Sequence, residues 1–249
     1  MAWREIIGRY KGSIMGLCWS FINPVLMLTV YTFVFSVVFK AKWGIEGEDN
    51  KTSFALVLFV GLIVHGFLSE VLNRAPGLIL NNVNYVKKVV FPLEILPAIS
   101  LAAAFFHSVI SLIVLLLATI ALNGTLPWTV VFIPIVLLPL AALTIGLAWA
   151  LASLGVFIRD IGQTIGIITT VMLFLAPVFY PLSAMPEKYR PFILANPLTF
   201  IIEQSREVLI FGHQPNWYGL GIYMLIASTV AWLGYIWFQK TRKGFADVL

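Results

Sequence analysis

Residues 54–72 read FALVLFVGLIVHGFLSEVL and residues 96–122 read LPAISLAAAFFHSVISLIVLLLATIAL, two blocks that together hold one carboxylate, Glu70, and no Lys or Arg. An apolar helix of about 20 residues crosses the ~30 Å hydrocarbon core of a bilayer, so both blocks read as membrane spans. Working outward, residues 24–39 and 217–238 repeat the pattern, each bounded by charges, Gly, Pro or Asn. Residues 128–157 contain Pro134 and Pro139, which are expected to bend the helix rather than end it. Residues 161–180 give a shorter block, with Pro177 and Pro181 as its stop. The expected fold is therefore an all-α integral membrane domain over residues 1–249, with six transmembrane helices.

Composition agrees. The chain has 249 residues, 60% hydrophobic and 11% charged, with mean hydropathy +0.96, whereas a soluble domain carries about 25% charged residues. A soluble globular protein is excluded. The net charge of +5 does not point to nucleic acid, because the bases cluster beside apolar spans, where the positive-inside rule accounts for them. With the N-terminus inside, the inner segments hold Arg4, Arg9, Lys11, Arg74, Lys87, Lys88, Arg159, Lys240, Arg242 and Lys243, ten bases against six outside. Both termini are expected in the cytoplasm. Cys18 is the single cysteine, so neither an internal disulfide nor a paired-cysteine metal site is available. Residues 1–10 show no short apolar core before a small-residue cleavage site, so no cleavable leader is expected.

Residues 1–22 carry a different pattern. Trp3, Ile6, Ile7, Tyr10, Ile14, Leu17 and Cys18 share one face at about 100° per residue, and Arg4, Glu5, Arg9 and Lys11 lie away from it. That describes one amphipathic helix in the membrane interface. Gly8, Gly12 and Gly16 make a second ridge, which either meets a closely packed partner or merely loosens the helix. Residues 74–94 form an inner loop in which Asn81, Asn82 and Asn84 lead into Tyr85 and Lys87, expected to be a short surface helix ended by Pro92. Arg159-Asp160 is either an ionic turn or a helix cap. Residues 181–216 are too apolar for a free loop and too polar for a span. There Asn196-Pro197 reads as an N-cap with proline in the first turn, running helical to Phe211 and ended by Gly212. Short re-entrant helices between spans five and six, suited to an external gate, are expected. Asn123-Gly124-Thr125 reads as a turn.

The chemistry available is narrow. His65, Glu70 and His107 are the ionisable residues within the spans. They leave open a proton relay; alternatively, Glu70, within a turn of the span's end, can reach the interface and the histidines simply bond between helices. The chain has no phosphate-binding Gly-x-x-x-x-Gly-Lys loop, nucleophile elbow or zinc-protease helix, so any ATP hydrolysis belongs to a separate chain. No cofactor is expected in this one. Tyr31, Phe35 and Phe39 recur at four-residue spacing, with Thr29, Thr32 and Ser36 on the adjacent face. Rings that stack on sugars beside hydroxyls that bond them would suit a sliding glycan. Equally, such a stripe packs against lipid or neighbouring helices.

Four segments resemble a known family. Arg9-Tyr10-Lys11-Gly12-Ser13 continuing to Gly16, Trp19, Phe21 and Pro24 resembles the N-terminal signature of ABC-2 type permeases that export O-antigen, capsular polysaccharide or teichoic acid. Residues 86–94 (VKKVVFPLE) with Pro97 resemble the family's inner loop, residues 157–161 (FIRDI) its inner turn, and residues 177–181 (PVFYP) the exit of its fifth span. The resemblance implies a homodimer in the bacterial plasma membrane, bound to two ATPase subunits that hold ATP and magnesium. It would extrude an undecaprenyl-linked polysaccharide. It further implies roles for residues. Arg4, Arg9 and Lys11 would stand at the entrance for the lipid head, and Asn82, Tyr85, Lys87 and Lys88 would touch the ATPase. Tyr31, Thr32, Phe35, Ser36, Phe39, Phe174, Phe179 and Tyr180 would line the channel, and Pro197, Glu203 and Arg206 would belong to the external gate. The alternatives are an ABC-2 exporter of a drug or small lipid and an ion-coupled secondary transporter.

Overall fold

The structure is a computed structural model that describes residues 2–10, 13, 15–38, 51–87 and 91–249. Among the described residues there is helix but no strand. Five helical stretches are long and apolar enough to cross a membrane: Cys18–Phe35, Phe54–Arg74, Ile95–Asn123, Trp128–Phe157 and Trp217–Val248.

At the N-terminus, α1 spans Ala2–Tyr10 and α2 spans Cys18–Tyr31. The single amphipathic helix expected over residues 1–22 is therefore two helices. Gly16, at φ +50°, adopts a left-handed conformation that glycine reaches without steric penalty, and the chain turns there. The stripe that joined Leu17 and Cys18 to Trp3 is thus broken. The first long helix accordingly starts at Cys18 instead of residue 24, and Pro24 lies inside it. It continues as a π-helix over Thr32–Val38.

The next helix, α3 (Lys51–Arg74), is the buried centre of the bundle. Of its most apolar stretch 72% is buried, against 6% for the first long helix. It packs against α6 (Ile95–Asn123), α7 (Ile133–Phe157), α8 (Ile161–Leu175) and α10 (Pro197–Arg206). Its Leu56, Phe59, Val60, Val64, Phe67 and Val71 join one apolar core with Leu115 and Leu140. Between α3 and α6 lie two short helices, α4 (Gly77–Leu80) and α5 (Val83–Lys87), where one surface helix was expected. Ile79 is fully buried, so this segment is anchored in the bundle rather than lying over it.

Pro134 occupies the first turn of α7, after a 3₁₀ turn at Trp128–Phe132. Its missing N–H costs nothing there, and only Pro139 is interior. The helix α8 ends at Leu175, not at Tyr180, and its 15 residues rise only about 22 Å. Asp160 takes its N-cap position without a side-chain cap bond. Beyond it come 3₁₀ turns at Leu182–Ala184 and Glu187–Tyr189, then α9 (Arg190–Leu194) and α10. As the sequence suggested, Asn196 caps α10 by accepting the Leu198 N–H. The helix runs on in π form through Glu207–Phe211 to Gly212. The last span is α11 (Trp217–Thr241), followed by α12 (Phe245–Val248). Backbone contact locks α11 to α7: a Cβ on Gly234 would lie 2.1 Å from the Gly146 carbonyl oxygen.

Candidate translocation route and inner cavity

The aromatic residues of the first long helix and of the exit from α8 meet. Tyr31 and Phe35 stand one helical turn apart, ring centroids 6.4 Å from each other. Phe35 stacks on Phe179 at 6.3 Å, and Phe179 on Phe174 at 5.7 Å. Sequence spacing could not pair residues 35 and 179, because the contact is made by the chain reversing after Leu175. The Tyr180 hydroxyl donates to the Phe174 carbonyl at 2.9 Å and holds that reversal. Phe54, at the start of the second span, completes the cluster by stacking on Phe35 at 5.4 Å. It was missed because nothing in the period of α3 marks it. Phe174 remains widely exposed while Phe35 and Phe179 are half-buried. The Thr29 and Thr32 hydroxyls donate to their own helix, at Val25 and Leu28. Each keeps its oxygen as an acceptor only. Phe39 and the Ser36 side chain lie outside the described residues.

Behind this route, Arg206 is fully buried. Its Nε donates to the Val57 carbonyl of α3 at 3.1 Å, its Nη2 to the Val178 carbonyl at 3.1 Å, and its Nη1 to Glu203 at 2.9 Å. Burial pulls its pKa down to about 10, against the opposing pull of the Glu203 carboxylate. It therefore stays charged at neutral pH. One side chain thus ties α10, α3 and the aromatic turn together. Pro197 serves the same region, its carbonyl accepting the Tyr223 hydroxyl of α11 at 2.9 Å.

The ionisable groups of the spans are paired across helices. His65 Nε2 lies 2.9 Å from the Thr169 carbonyl of α8. His107 Nδ1 of α6 holds the Glu70 carboxylate at 3.0 and 3.1 Å. This pair faces a cavity of about 360 Å³ that Asn23 and Tyr31 also line.

A larger and more polar cavity, about 600 Å³, opens where α3 ends. Asn82 and Tyr85 lie in its wall, together with Asn73, Arg74, Asn81 and Ser100. Arg74 bonds Glu5 of α1 at 3.4 Å, and Tyr85 stacks on Phe91 at 4.6 Å. The side chains of Arg4, Arg9 and Lys87, and residues Lys11 and Lys88, lie outside the described residues.

A bundle of long apolar helices with a buried arginine knot at one end and a polar cavity at the other defines a polytopic membrane protein. The profile of the ABC-2 type transporter family matches residues 1–210. The chain belongs to that family. It is 28% identical over 246 residues to the O-antigen export system permease protein RfbA of Myxococcus xanthus, covering 98% of this chain and 92% of that one. A Klebsiella pneumoniae protein of the same name is 26% identical over 248 residues, 99% and 92% of the two chains. The polysialic acid transport protein KpsM of Escherichia coli is 23% identical over 252 residues, covering 96% and 91%.

Proposed function

We propose that this chain is the membrane-spanning subunit of an ATP-driven exporter that passes a lipid-linked polysaccharide of O-antigen type across the bacterial inner membrane. The observation that carries the reading is the run of neighbouring rings Tyr31, Phe35, Phe179 and Phe174, the last three stacked, which joins the first long helix to the exit of α8. Rings in series suit a polymer, because each offers a weak, sequence-tolerant apolar face and none must bind tightly. The names of its relatives, O-antigen export permease and polysialic acid transporter, over nearly the full length support the same substrate class.

In the working assembly, α8 with the turn after it makes the sixth crossing, α1 lies in the inner interface, and both termini face the cytoplasm. Two copies pair, each with an ATPase subunit that supplies ATP and magnesium. Arg4, Arg9 and Lys11 receive the lipid head. Asn82, Tyr85, Lys87 and Lys88 face the ATPase, and Pro197, Glu203 and Arg206 hold the outer gate. The channel wall is formed by Tyr31, Thr32, Phe35, Ser36, Phe39, Phe174, Phe179 and Tyr180. The chain itself carries out no chemistry on the glycan.

Purification from native membranes, with mass spectrometry of co-purifying proteins and lipids, tests this. An ATPase subunit together with a polyprenyl-linked glycan is the expected result. Recovery of the intact chain with neither would overturn it.

A further inference from the structure

Asn82 and Tyr85 lie at the ATPase-facing rim of the cavity at the end of α3, but Asn73, Asn81 and Ser100 in the same wall have no part in the exporter role described above. The cavity measures about 600 Å³, within the range of sites for small organic ligands, about 300–1,000 Å³. Its described wall charges, Arg74 and Glu5, are bonded to each other. A lipid-tail groove would be apolar, yet Asn73, Asn81 and Asn82 line this one. Each primary amide offers donors and an acceptor side by side, the match for a neutral polyhydroxyl ring.

One of the amides is also held in place. Asn82 Nδ2 donates to the Leu78 carbonyl at 2.9 Å, which fixes that amide plane and engages only one of its two polar ends. Asn73 Oδ1 lies 3.3 Å from the Thr169 hydroxyl, for whose hydrogen the Gly166 carbonyl at 3.1 Å competes. Ser100, in the same wall, is buried with a hydroxyl that has no hydrogen-bond partner. Buried polar groups are normally satisfied, and an unsatisfied one calls for an explanation.

We infer that this cavity binds a sugar unit at the lipid-proximal end of the exported glycan, before that end enters the channel. The inference rests on the exporter reading. It adds a sorting site: amides gathered at one end of the bundle would favour glycans whose first hydroxyls match them.

Because Cys18 is the only cysteine, C18S with Leu78→Cys gives a single reporter in the wall, and C18S with Ile99→Cys gives a second. The permease is kept with its hydrolysis-deficient ATPase in inside-out native vesicles, from cells that make the lipid-linked glycan and from cells blocked at the first sugar transfer. Reaction with an impermeant maleimide is timed. Slowing by about threefold in the glycan-bearing vesicles, the value for a ligand at twice its Kd, is expected at either cysteine. Equal rates in both vesicles, while hydrolysis-competent cells still export through the cysteine variants, would overturn the inference and leave the exporter reading intact. Equal protection of glycan-free vesicles by inorganic pyrophosphate would also overturn it, making this an anion site. So would protection that follows the ATPase regardless of glycan.

Discussion

Arg206→Met removes the guanidinium that joins α10 to α3 and to the turn after α8 while keeping much of its volume. Two bonds to backbone carbonyls disappear, Nε to Val57 and Nη2 to Val178, both 3.1 Å. Hydrogen bonds to a charged group contribute about 1.5–3 kcal/mol each, so their loss costs roughly 3–6 kcal/mol. Methionine also avoids the desolvation of a buried cation, which offsets part of that. A net loss of about 2–4 kcal/mol follows, a fall of on the order of 10 °C in a chain of this size. Thermal unfolding in detergent, followed by size-exclusion fluorescence, measures it. Arg206→Lys should fall between, because an ammonium keeps the charge but lacks the planar fork that reaches both carbonyls. With its pKa at about 10, the wild-type arginine is protonated in folded and unfolded chains alike between pH 6 and 8. It should add no pH slope there. A methionine variant within about 2 °C of wild type would refute the view that this side chain ties α10, α3 and the aromatic turn together.

Gly234→Ala places a Cβ 2.1 Å from the Gly146 carbonyl oxygen, and it should abolish accumulation of folded protein. Gly221→Ala meets nothing within 4 Å and should accumulate normally, as fluorescence-detected chromatography would show. Phe35→Ala opens the middle of the ring series and should cut export of long glycans severalfold while the ATPase still co-purifies; normal long-chain export would remove the sliding-track idea. Charge reversal at Lys87 and Lys88 should weaken recovery of the ATPase subunit in a pull-down, and undiminished recovery would move the dock elsewhere. Replacing both His65 and His107 by Asn tests the ion-coupled alternative: full export by the double variant is expected, and loss of export with normal folding would revive a proton relay.

What the sequence disclosed and what it hid divide along one physical line. The long spans were legible because hydropathy is a property of consecutive residues, and the Asn196-Pro197 start with the Gly212 stop was legible because a helix cap is local chemistry. The break between Tyr10 and Cys18 was hidden because the apolar stripe continues in phase across it, although Gly16 there adopts a backbone angle of +50°. The end of α8 at Leu175 was hidden for the opposite reason, since apolar residues continue into a turn. At the candidate site, periodicity marked Tyr31 and Phe35 as neighbours. The contact of Phe35 with Phe179 and Phe54 depends on how three separate segments pack, which no period encodes. Arg206 was placed in the gate region by resemblance, but its burial could not be read from a string in which it looks like any loop base.

The central position of α3 gives the coupling problem a physical form. From Val57 to Arg74 it is bonded in turn to α10 through Arg206, to α8 through His65 and Asn73, to α6 through Glu70 and to α1 through Arg74. Those 17 steps span about 25 Å, most of the hydrocarbon thickness. A helix held at both ends by polar contacts and along its length by close packing moves as a body, because a packed interior does not deform continuously. At its Arg74 end the chain continues directly into α4, which is clamped to α7 where Gly155 lies against the Pro76 carbonyl. A push on the α4–α5 segment is therefore delivered to α3 and α7 together. Through α3 it reaches the carbonyl of Val57, the Arg206 knot and the aromatic turn at Val178 and Phe179. Loosening either end of α3 should accordingly separate ATP hydrolysis from export, whereas opening the ring series should impair export alone.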